Sequence, residues 1–166
     1  MLQEQTGRLS HLAEILLDMT GVQTVERSER ISLAALTDEV FCDLASVAEQ
    51  KEVELIQQEG DCIITGSYLL LYRAVYNLVE NAIKYNHSGG KVTVNIHLSE
   101  EITDTSTSDN YAFLEVSDTG IGIPPEYQEK IFTPFFRVDK SRSRAMGGAG
   151  LGLALVSEIV RQHNGQ

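Results

Sequence analysis

The sequence has few cysteines and few basic residues, and it has no long apolar run. Cys42 and Cys62 form no CxxC pair, which disfavours a metal cluster and makes reduced thiols in an intracellular compartment the simplest interpretation. Lys and Arg number 13 against 24 Asp and Glu, and the net charge of −11 disfavours binding to nucleic acid or anionic lipid. No segment approaches the roughly 20 apolar residues that a membrane-spanning helix needs. These absences leave a globular protein, in which a phosphate ligand would need a local group of cations.

The 166 residues, 42% hydrophobic and 22% charged, suit one globular core. A separate helix is predicted before it. Five apolar residues at the start have the a/d spacing of a helix that buries a seam against a partner helix, and these are Leu2, Leu9, Leu12, Leu16 and Met19. The composition changes around residues 21 to 30, so we place a boundary there.

After this boundary, short strand-like runs are mixed with helical patterns. Strands are predicted at residues 31–33, 53–58, 62–66, 91–98 and 111–118, and helices at 34–51, 67–85 and 150–163. The order includes two hairpin-like pairs. It predicts an α/β (α+β) two-layer sandwich in which a mixed sheet packs on helices.

The predicted helix at 67–85 contains the segment NLVENAIKY, in which a polar stripe interrupts apolar residues. Asn77, Asn81 and Lys84 are four and three residues apart, so they share one face of the helix. Amide oxygens can ligate a hard cation without adding charge, and an ammonium can meet a phosphate, which together suit a magnesium-nucleotide complex. The alternative is a solvated helix face.

The segment DTGIGIPPE follows the strand-like run YAFLEV directly. Asp118, at the end of a strand, could accept a hydrogen bond from an exocyclic amine such as that of adenine. Gly120 and Gly122 would let a flat ring approach the backbone, and Ile121 and Ile123 could supply apolar walls. Taken alone, the segment fits a tight turn equally well.

A third segment, GGAGLGLAL at 147–155, runs from glycines straight into a helical pattern. Backbone N–H groups at the start of a helix can bind an anion, and glycines let a phosphate lie against them. The segment is neither a P-loop nor a GxGxxG motif. A flexible hinge is the alternative.

The fourth segment, FTPFFRVDKSRSR at 132–144, lies between the second and the third. Its phenylalanines, Phe132, Phe135 and Phe136, can anchor one end. The other end gathers positive charge in an otherwise acidic chain, at Arg137, Lys140, Arg142 and Arg144. These cations could neutralise the charge of a triphosphate. The alternative is a solvated basic loop.

In order and approximate spacing, these segments resemble the N box, first glycine box, F box and second glycine box of the sensor histidine kinases, members of the GHKL group of ATP-binding proteins. The likeness covers about residues 31–166, and the leading helix resembles the second helix of the family's dimerisation hairpin. The resemblance implies a partial hairpin helix with linker at 1–27, followed by a catalytic domain of the GHKL ATP-binding fold at 28–166. Residues 124–148 would form an adjustable lid.

The resemblance also implies two ligands, ATP and Mg²⁺, and a role for each box. Asn81 would hold Mg²⁺ with Asn77 beside it, and Lys84 would lie near the phosphates. Tyr85 would flank the nucleotide, and Asp118 would read the adenine amine. The other implied ATP-binding residues are Gly120, Gly122, Ile123, Phe135, Arg137, Lys140, Gly148, Gly150, Leu151 and Gly152.

One position separates the enzyme classes of this group. Related ATPases have a water-activating glutamate one helical turn before the metal-binding asparagine, and Asn77 occupies that place here. An amide cannot take up a proton at neutral pH, which favours transfer to a protein side chain over hydrolysis. Glu80 is a hypothetical base, so the catalytic candidates are Glu80, Asn77 and Lys84. A nucleotide-binding regulatory module and a GHKL ATPase without phosphotransfer remain as alternatives.

The family's phosphoacceptor histidine lies in a block with an acid and a later proline, and no such block occurs here. His11 is therefore interpreted as a partly exposed helical residue. The chain ends at RQHNGQ, where the family adds a strand pair, so we expect an unpaired sheet edge. The resemblance thus implies a fragment of a protein-histidine kinase, a cytoplasmic domain of a homodimeric parent that could be membrane-anchored. Its partners would be the dimerisation and phosphoacceptor domain of the same protein and a response regulator downstream.

Overall fold

The structure, a computed structural model, describes residues 25–100, 110–138 and 150–166. The predicted leading helix lies outside these residues. In chain order the described elements are β1 (Glu29–Ser32), α1 (Leu33–Gln50), β2 (Glu54–Gln57), β3 (Ile63–Gly66), α2 (Tyr68–Lys84), β4 (Lys91–Glu100), β5 (Asn110–Asp118), α3 (Pro125–Gln128) and α4 (Gly152–Gln162). Each predicted strand and helix after residue 30 overlaps one of them, and α3 is an addition. None of the described helices combines the length and apolarity needed to cross a membrane.

Two side-chain oxygens cap the start of α1. Ser32 Oγ accepts the N–H of Ala35 at 3.1 Å, and Asp61 Oδ1 accepts the N–H of Ala34 at 2.9 Å. These N–H groups have no partner within the helix, so the caps stabilise its first turn. The hydrogen bond from Ala34 is the main cause that lowers the pKa of Asp61. The apolar face of α1 is buried at Leu33, Leu36, Val40, Leu44 and Ala48.

The described strands form two sheets. In the larger sheet, of order β2-β4-β5, β2 runs parallel to β4 and β4 runs antiparallel to β5, while β1 and β3 form a separate antiparallel pair. Of the two predicted hairpin-like pairs, the described residues contain one, β4 with β5; β2 and β3 do not pair. Beyond β2, Gln58 N–H donates to Val94 O, and Gly60 approaches Ile96 O closely. The chain therefore follows β4 instead of folding back.

The larger sheet packs on α1 and α2, which confirms the predicted two-layer sandwich. Val92, Val94 and Ile96 alternate along β4 on the face toward the helices, and each is at most 2% exposed. The corresponding residues of β5, Leu114 and Val116, are only partly buried. Within the described residues, β5 has a strand partner on one side alone.

Helix α4 packs against α2 and is joined to its start by a histidine. His163 Nε2 accepts the N–H of Ser67 at 3.1 Å, and the other ring nitrogen, Nδ1, lies 2.8 Å from Ile159 O. Because Nε2 is an acceptor, the proton of the neutral ring belongs on Nδ1, where it is donated to that carbonyl. The two helices that carry the N box and the second glycine box are thus held together far from the boxes themselves.

Candidate functional site

The C-terminal half of α2 carries the first predicted segment. Asn77 Nδ2 donates to Arg73 O at 2.7 Å, so Asn77 Oδ1 remains as the acceptor atom of this amide. The start of α4 lies directly against this oxygen, because a methyl group on Gly152 would be 2.6 Å from Asn77 Oδ1. Glycine at this position lets the second glycine box meet the N box at close range.

The ammonium of Lys84 is half-buried at the end of α2. Its Nζ lies 5.7 Å from the centroid of the Tyr85 ring, within reach of a cation–π interaction. Burial lowers the pKa of Lys84; Glu80 opposes this, and the charges of Arg137 and Lys51 lower the pKa further. Three cations therefore lie near one another in an acidic protein, and the repulsion among them would be relieved by a bound anion.

The turn after β5 lies against the end of the same helix. Ile121 N–H donates to Tyr85 O at 3.1 Å, and Gly120 N–H donates to Asp118 Oδ1 at 2.8 Å. A methyl group on Gly120 would be 2.4 Å from Tyr85 O, so only glycine fits there. Around Gly122, by contrast, a methyl group would meet no heavy atom within 4 Å, and Ile123 beside it is exposed. This side of the turn is open to a ligand.

The described parts of the third and fourth segments are joined by backbone. Phe135 N–H donates to Gly150 O at 2.8 Å, and Phe135 takes a left-handed φ of 64°, which is costly for a residue with a side chain. Arg137 Nη2 is buried and has no hydrogen-bond partner among the residues that the structure describes. A buried N–H donor without a partner is rare in folded proteins, and a bound acceptor would satisfy it.

The first turn of α4 also lacks a side-chain cap. Leu151 is its N-cap residue and makes no side-chain capping hydrogen bond, so no cap of that kind covers the first-turn N–H groups. Leu151 as a whole residue is only 1% exposed, so its side chain is not available to a ligand. The positive end of a helix dipole adds to the cations already described.

The structure therefore brings parts of all four predicted segments to the C-terminal half of α2. Of the predicted site residues, Lys140 and Gly148 lie outside the described residues. Glu80 and Asn81 make no side-chain hydrogen bond or ion pair within the described ranges, and both are partly exposed. In those ranges, no three or more His, Cys, Asp or Glu residues are grouped so that they could hold a metal ion.

Sequence reasoning missed Asn86, which directly follows the predicted helix at 67–85. This residue is 7% exposed and is one of three polar residues buried in the described chain. The signal in the sequence was slight. An amide directly after a helix end is commonly a turn residue, and burial of a polar group becomes visible only in the fold.

The fold and site define a two-layer α/β domain in which an uncapped helix start and an open turn lie against the same helix. The family of histidine kinase-, DNA gyrase B-, and HSP90-like ATPases matches residues 66–166. The match covers more than half of the chain, and the chain belongs to this family.

Two sensor histidine kinases are similar to nearly the whole of this chain. The sensor histidine kinase RppB of Synechocystis sp. is 36% identical over 98% of this chain, and the sensor histidine kinase WalK of Bacillus subtilis is 32% identical over 98%. The chain spans 35% and 26% of the lengths of these two relatives. These matches confirm the resemblance to sensor histidine kinases.

Solved structures agree. The mycobacterial sensor histidine kinase MprB has a TM-score of 0.64 and 29% identity, and the alignment covers 82% of this chain and 80% of that one. The histidine kinase AdeS of Acinetobacter baumannii has a TM-score of 0.70 over 97% of this chain and 71% of that one, but its 24% identity supports the fold alone. The predicted fold class is confirmed.

Proposed function

We propose that the chain is the catalytic ATP-binding domain of a sensor histidine kinase, which transfers the γ-phosphoryl group of Mg-ATP to a histidine outside the chain. The observation that carries this proposal is the convergence of parts of four segments on the end of α2. Each segment contributes one feature that a ligand could satisfy or fill. These are the cationic Lys84, the buried Arg137 Nη2 without a hydrogen-bond partner in the described chain, the uncapped start of α4 and the open turn at Gly122. A purine triphosphate would complete all of them.

The adenine would bind at the turn after β5. Asp118 lies at the strand end, where its carboxylate would accept a hydrogen bond from the exocyclic amine. Gly120 and Gly122 would face the ring plane, with Ile123 as an apolar wall. Tyr85 would flank the nucleotide on the side of α2, consistent with its carbonyl bond to the turn.

The phosphates would bind between α2 and α4. Lys84 and Arg137 would neutralise their charge, and the backbone of Gly150, Leu151 and Gly152 would donate hydrogen bonds. Phe135, bonded to Gly150, would hold the two segments together. Lys140 and Gly148 stay predictions for the same group.

The amides of α2 fit a magnesium ion that a nucleotide carries. Mg²⁺ is commonly bound by one or two protein oxygens together with substrate phosphates, and it does not need a full protein cage. Asn81 would supply one oxygen, since its amide has no competing partner in the described chain. Asn77 Oδ1 lies beside Gly152, at the start of α4. When bound, the ion would neutralise charge on the phosphate oxygens.

The chemistry would rest mainly on placement and charge. The bond between the γ-phosphorus and the ADP oxygen breaks, and a nitrogen–phosphorus bond forms on the acceptor imidazole. The imidazole must lose its other N–H proton, and Glu80 would accept it, because its carboxylate is partly exposed and unpaired in the described residues. Asn77 and Lys84 would orient and stabilise the transferring group.

The whole-protein context is part of the proposal. Residues 1–27 would be the second helix of a dimerisation hairpin with its linker, and residues 28–166 the catalytic domain. The acceptor histidine would lie on the dimerisation and phosphoacceptor domain of a homodimeric parent, which would then serve a response regulator. The location would be cytoplasmic, with the parent anchored in a membrane.

The test is to mix the chain with a purified dimerisation domain, Mg²⁺ and γ-labelled ATP. Label should appear on histidine, and Asn81→Ala should slow transfer about 100-fold. Asn95→Ala, on the solvent side of β4, is the matched control and should transfer at the normal rate. Calorimetry that shows no binding of Mg-ATP to the folded chain would overturn the proposal. Binding without label would favour a regulatory module, and steady phosphate release without an acceptor would favour an ATPase.

A further inference from the structure

Asn86 links three elements next to the proposed adenine site. It follows Tyr85, the C-cap residue of α2, and its side chain is buried. Asn86 Nδ2 donates to Lys91 O at 3.0 Å, and Asn86 Oδ1 accepts the Thr119 hydroxyl at 3.2 Å and the His87 N–H at 3.0 Å. One amide thus uses its donor and its acceptor on β4, on its own loop and on the turn after β5.

Thr119 closes the network. Its Oγ1 accepts the N–H of Lys91 at 2.9 Å, and its own N–H donates to Lys91 O at 3.1 Å. The last paired position of the β4–β5 ladder is Val92 with Asp118, directly beside these bonds. The carboxylate that would read adenine therefore lies between a fixed ladder and a fixed side-chain network.

The space around Asn86 admits little change. A methyl group on Gly90 would lie 2.0 Å from Asn86 Oδ1, and a methyl group on Gly120 would lie 3.0 Å from Asn86 Cα. Gly90 thus lies against the side-chain oxygen of Asn86, and Gly120 lies against its backbone. A displacement of Asn86 would be transmitted to Thr119 and to the turn that begins at Asp118.

We propose that Asn86 is a positioning residue for base recognition: through Thr119 it fixes the direction of the Asp118 carboxylate, and so contributes to the preference for a base with an exocyclic amine. This inference rests on the proposed function, because it assumes that Asp118 reads adenine. Neither Asn86 nor Thr119 touches the nucleotide in this arrangement. Their effect is on the angle and position of the group that does.

The network needs an amide at residue 86. In Asn86→Asp a carboxylate oxygen replaces the donor and faces Lys91 O, so an attraction becomes a repulsion at nearly unchanged volume. In Thr119→Val the shape is kept, but Asn86 loses a donor and Lys91 N–H loses an acceptor. Thr119→Ser keeps the hydroxyl and serves as the conservative variant.

The experiment compares the binding of ATP and inosine triphosphate, each with Mg²⁺, to the full chain by calorimetry. Inosine triphosphate has a carbonyl oxygen in place of the adenine amine, so the ratio of the two dissociation constants reports base recognition. We expect Asn86→Asp and Thr119→Val to reduce the preference for ATP about tenfold, the equivalent of one hydrogen bond to a charged group. Thr119→Ser should keep the preference, and Asp118→Asn gives the reference for its loss.

Thr65→Val, an exposed position on β3 away from the site, is the matched control and should leave the ratio unchanged. A merely structural role for Asn86 predicts that both affinities fall by the same factor, and that result would overturn the inference. If Asn86→Asp does not fold, the pair Thr119→Val and Thr119→Ser decides the question in the same way. A wild-type chain that binds both triphosphates equally would overturn the adenine assignment as well, whereas a wild-type preference that survives in both variants would overturn this inference alone.

Discussion

The two ends of the proposed nucleotide site are built differently. The turn after β5 is joined to α2 and β4 by hydrogen bonds of ordinary length, through Asn86, Thr119 and Tyr85. The phosphate end instead holds a buried guanidinium nitrogen, Arg137 Nη2, without a hydrogen-bond partner in the described chain, together with an ammonium with a lowered pKa and an uncapped helix start. The hydrogen bonds of the base end are formed without a ligand. At the phosphate end, a bound anion would neutralise the positive charge and accept the remaining hydrogen bonds.

The largest effect should come from breaking the base end. In Gly120→Ala the new methyl group would lie 2.4 Å from Tyr85 O, a backbone atom that cannot move alone. We expect the free energy of unfolding to fall by about 3 kcal/mol, measured by urea denaturation, with a weaker affinity for ATP. Gly89→Ala, which has open space but a φ of +76°, should cost only about 1 kcal/mol. Equal losses in the two variants would show that the close approach carries no special weight.

The second test acts on the phosphate end. Arg137→Gln removes the positive charge, so the affinity for Mg-ATP should fall about tenfold while the affinity for adenosine stays the same. Stability should not fall, because Arg137 Nη2 is buried without a hydrogen-bond partner in the described chain. Arg30→Gln, an exposed change on β1, is the control. An equal loss for adenosine and ATP would place Arg137 on the wrong end of the site.

A pH titration sharpens the same contrast. Burial lowers the pKa of Lys84, and a bound triphosphate would favour the charged amine. The affinity for ATP should therefore be full below the lowered pKa and fall as the pH rises through it, by at most about tenfold per pH unit. Adenosine should show no such dependence. In Arg137→Gln the pKa of Lys84 should rise, because the Arg137 charge lowers it, so the fall should move to higher pH. Calorimetry over a pH series from neutral pH up to the ordinary lysine pKa measures both.

The smallest effect belongs to a position remote from both ends. The pKa of Asp61 is lowered, so its cap on α1 stabilises the fold above the ordinary carboxyl pKa, and this stabilisation is lost as the pH falls through the lower folded-state value. Asp61→Asn should cost about 1 kcal/mol at neutral pH and nothing at strongly acid pH. The ATP affinity should not change. A changed affinity would mean that stability and site are coupled, and that the two ends cannot be compared independently.

Periodicity and strand-end position predicted much of this arrangement. The spacing of Asn77, Asn81 and Lys84 placed them on one helix, and the run before Asp118 placed that acid at a strand end. Both are local consequences of chain geometry. The likeness to a known family then supplied the convergence of the four segments.

The remainder depends on contacts between distant residues. The parallel pairing of β2 with β4 is set by the bonds that the chain makes after β2, and nothing in the strand sequences distinguishes it from a hairpin. The hydrogen bond from Phe135 to Gly150 joins two backbone groups, so the side chains in the sequence do not predict it. Asn86 shows the same limit, because its importance comes from partners at Lys91 and Thr119.

The bond between Phe135 and Gly150 has a consequence for how this domain can vary. The hydrogen bond fixes these two residues to each other, although they are far apart in the sequence. The entropy of closing the segment between them grows only with the logarithm of its length, so doubling it costs about 0.6 kcal/mol. Insertions between the two residues would therefore be inexpensive, and the domain could acquire new specificity there without rebuilding the wall that holds the base.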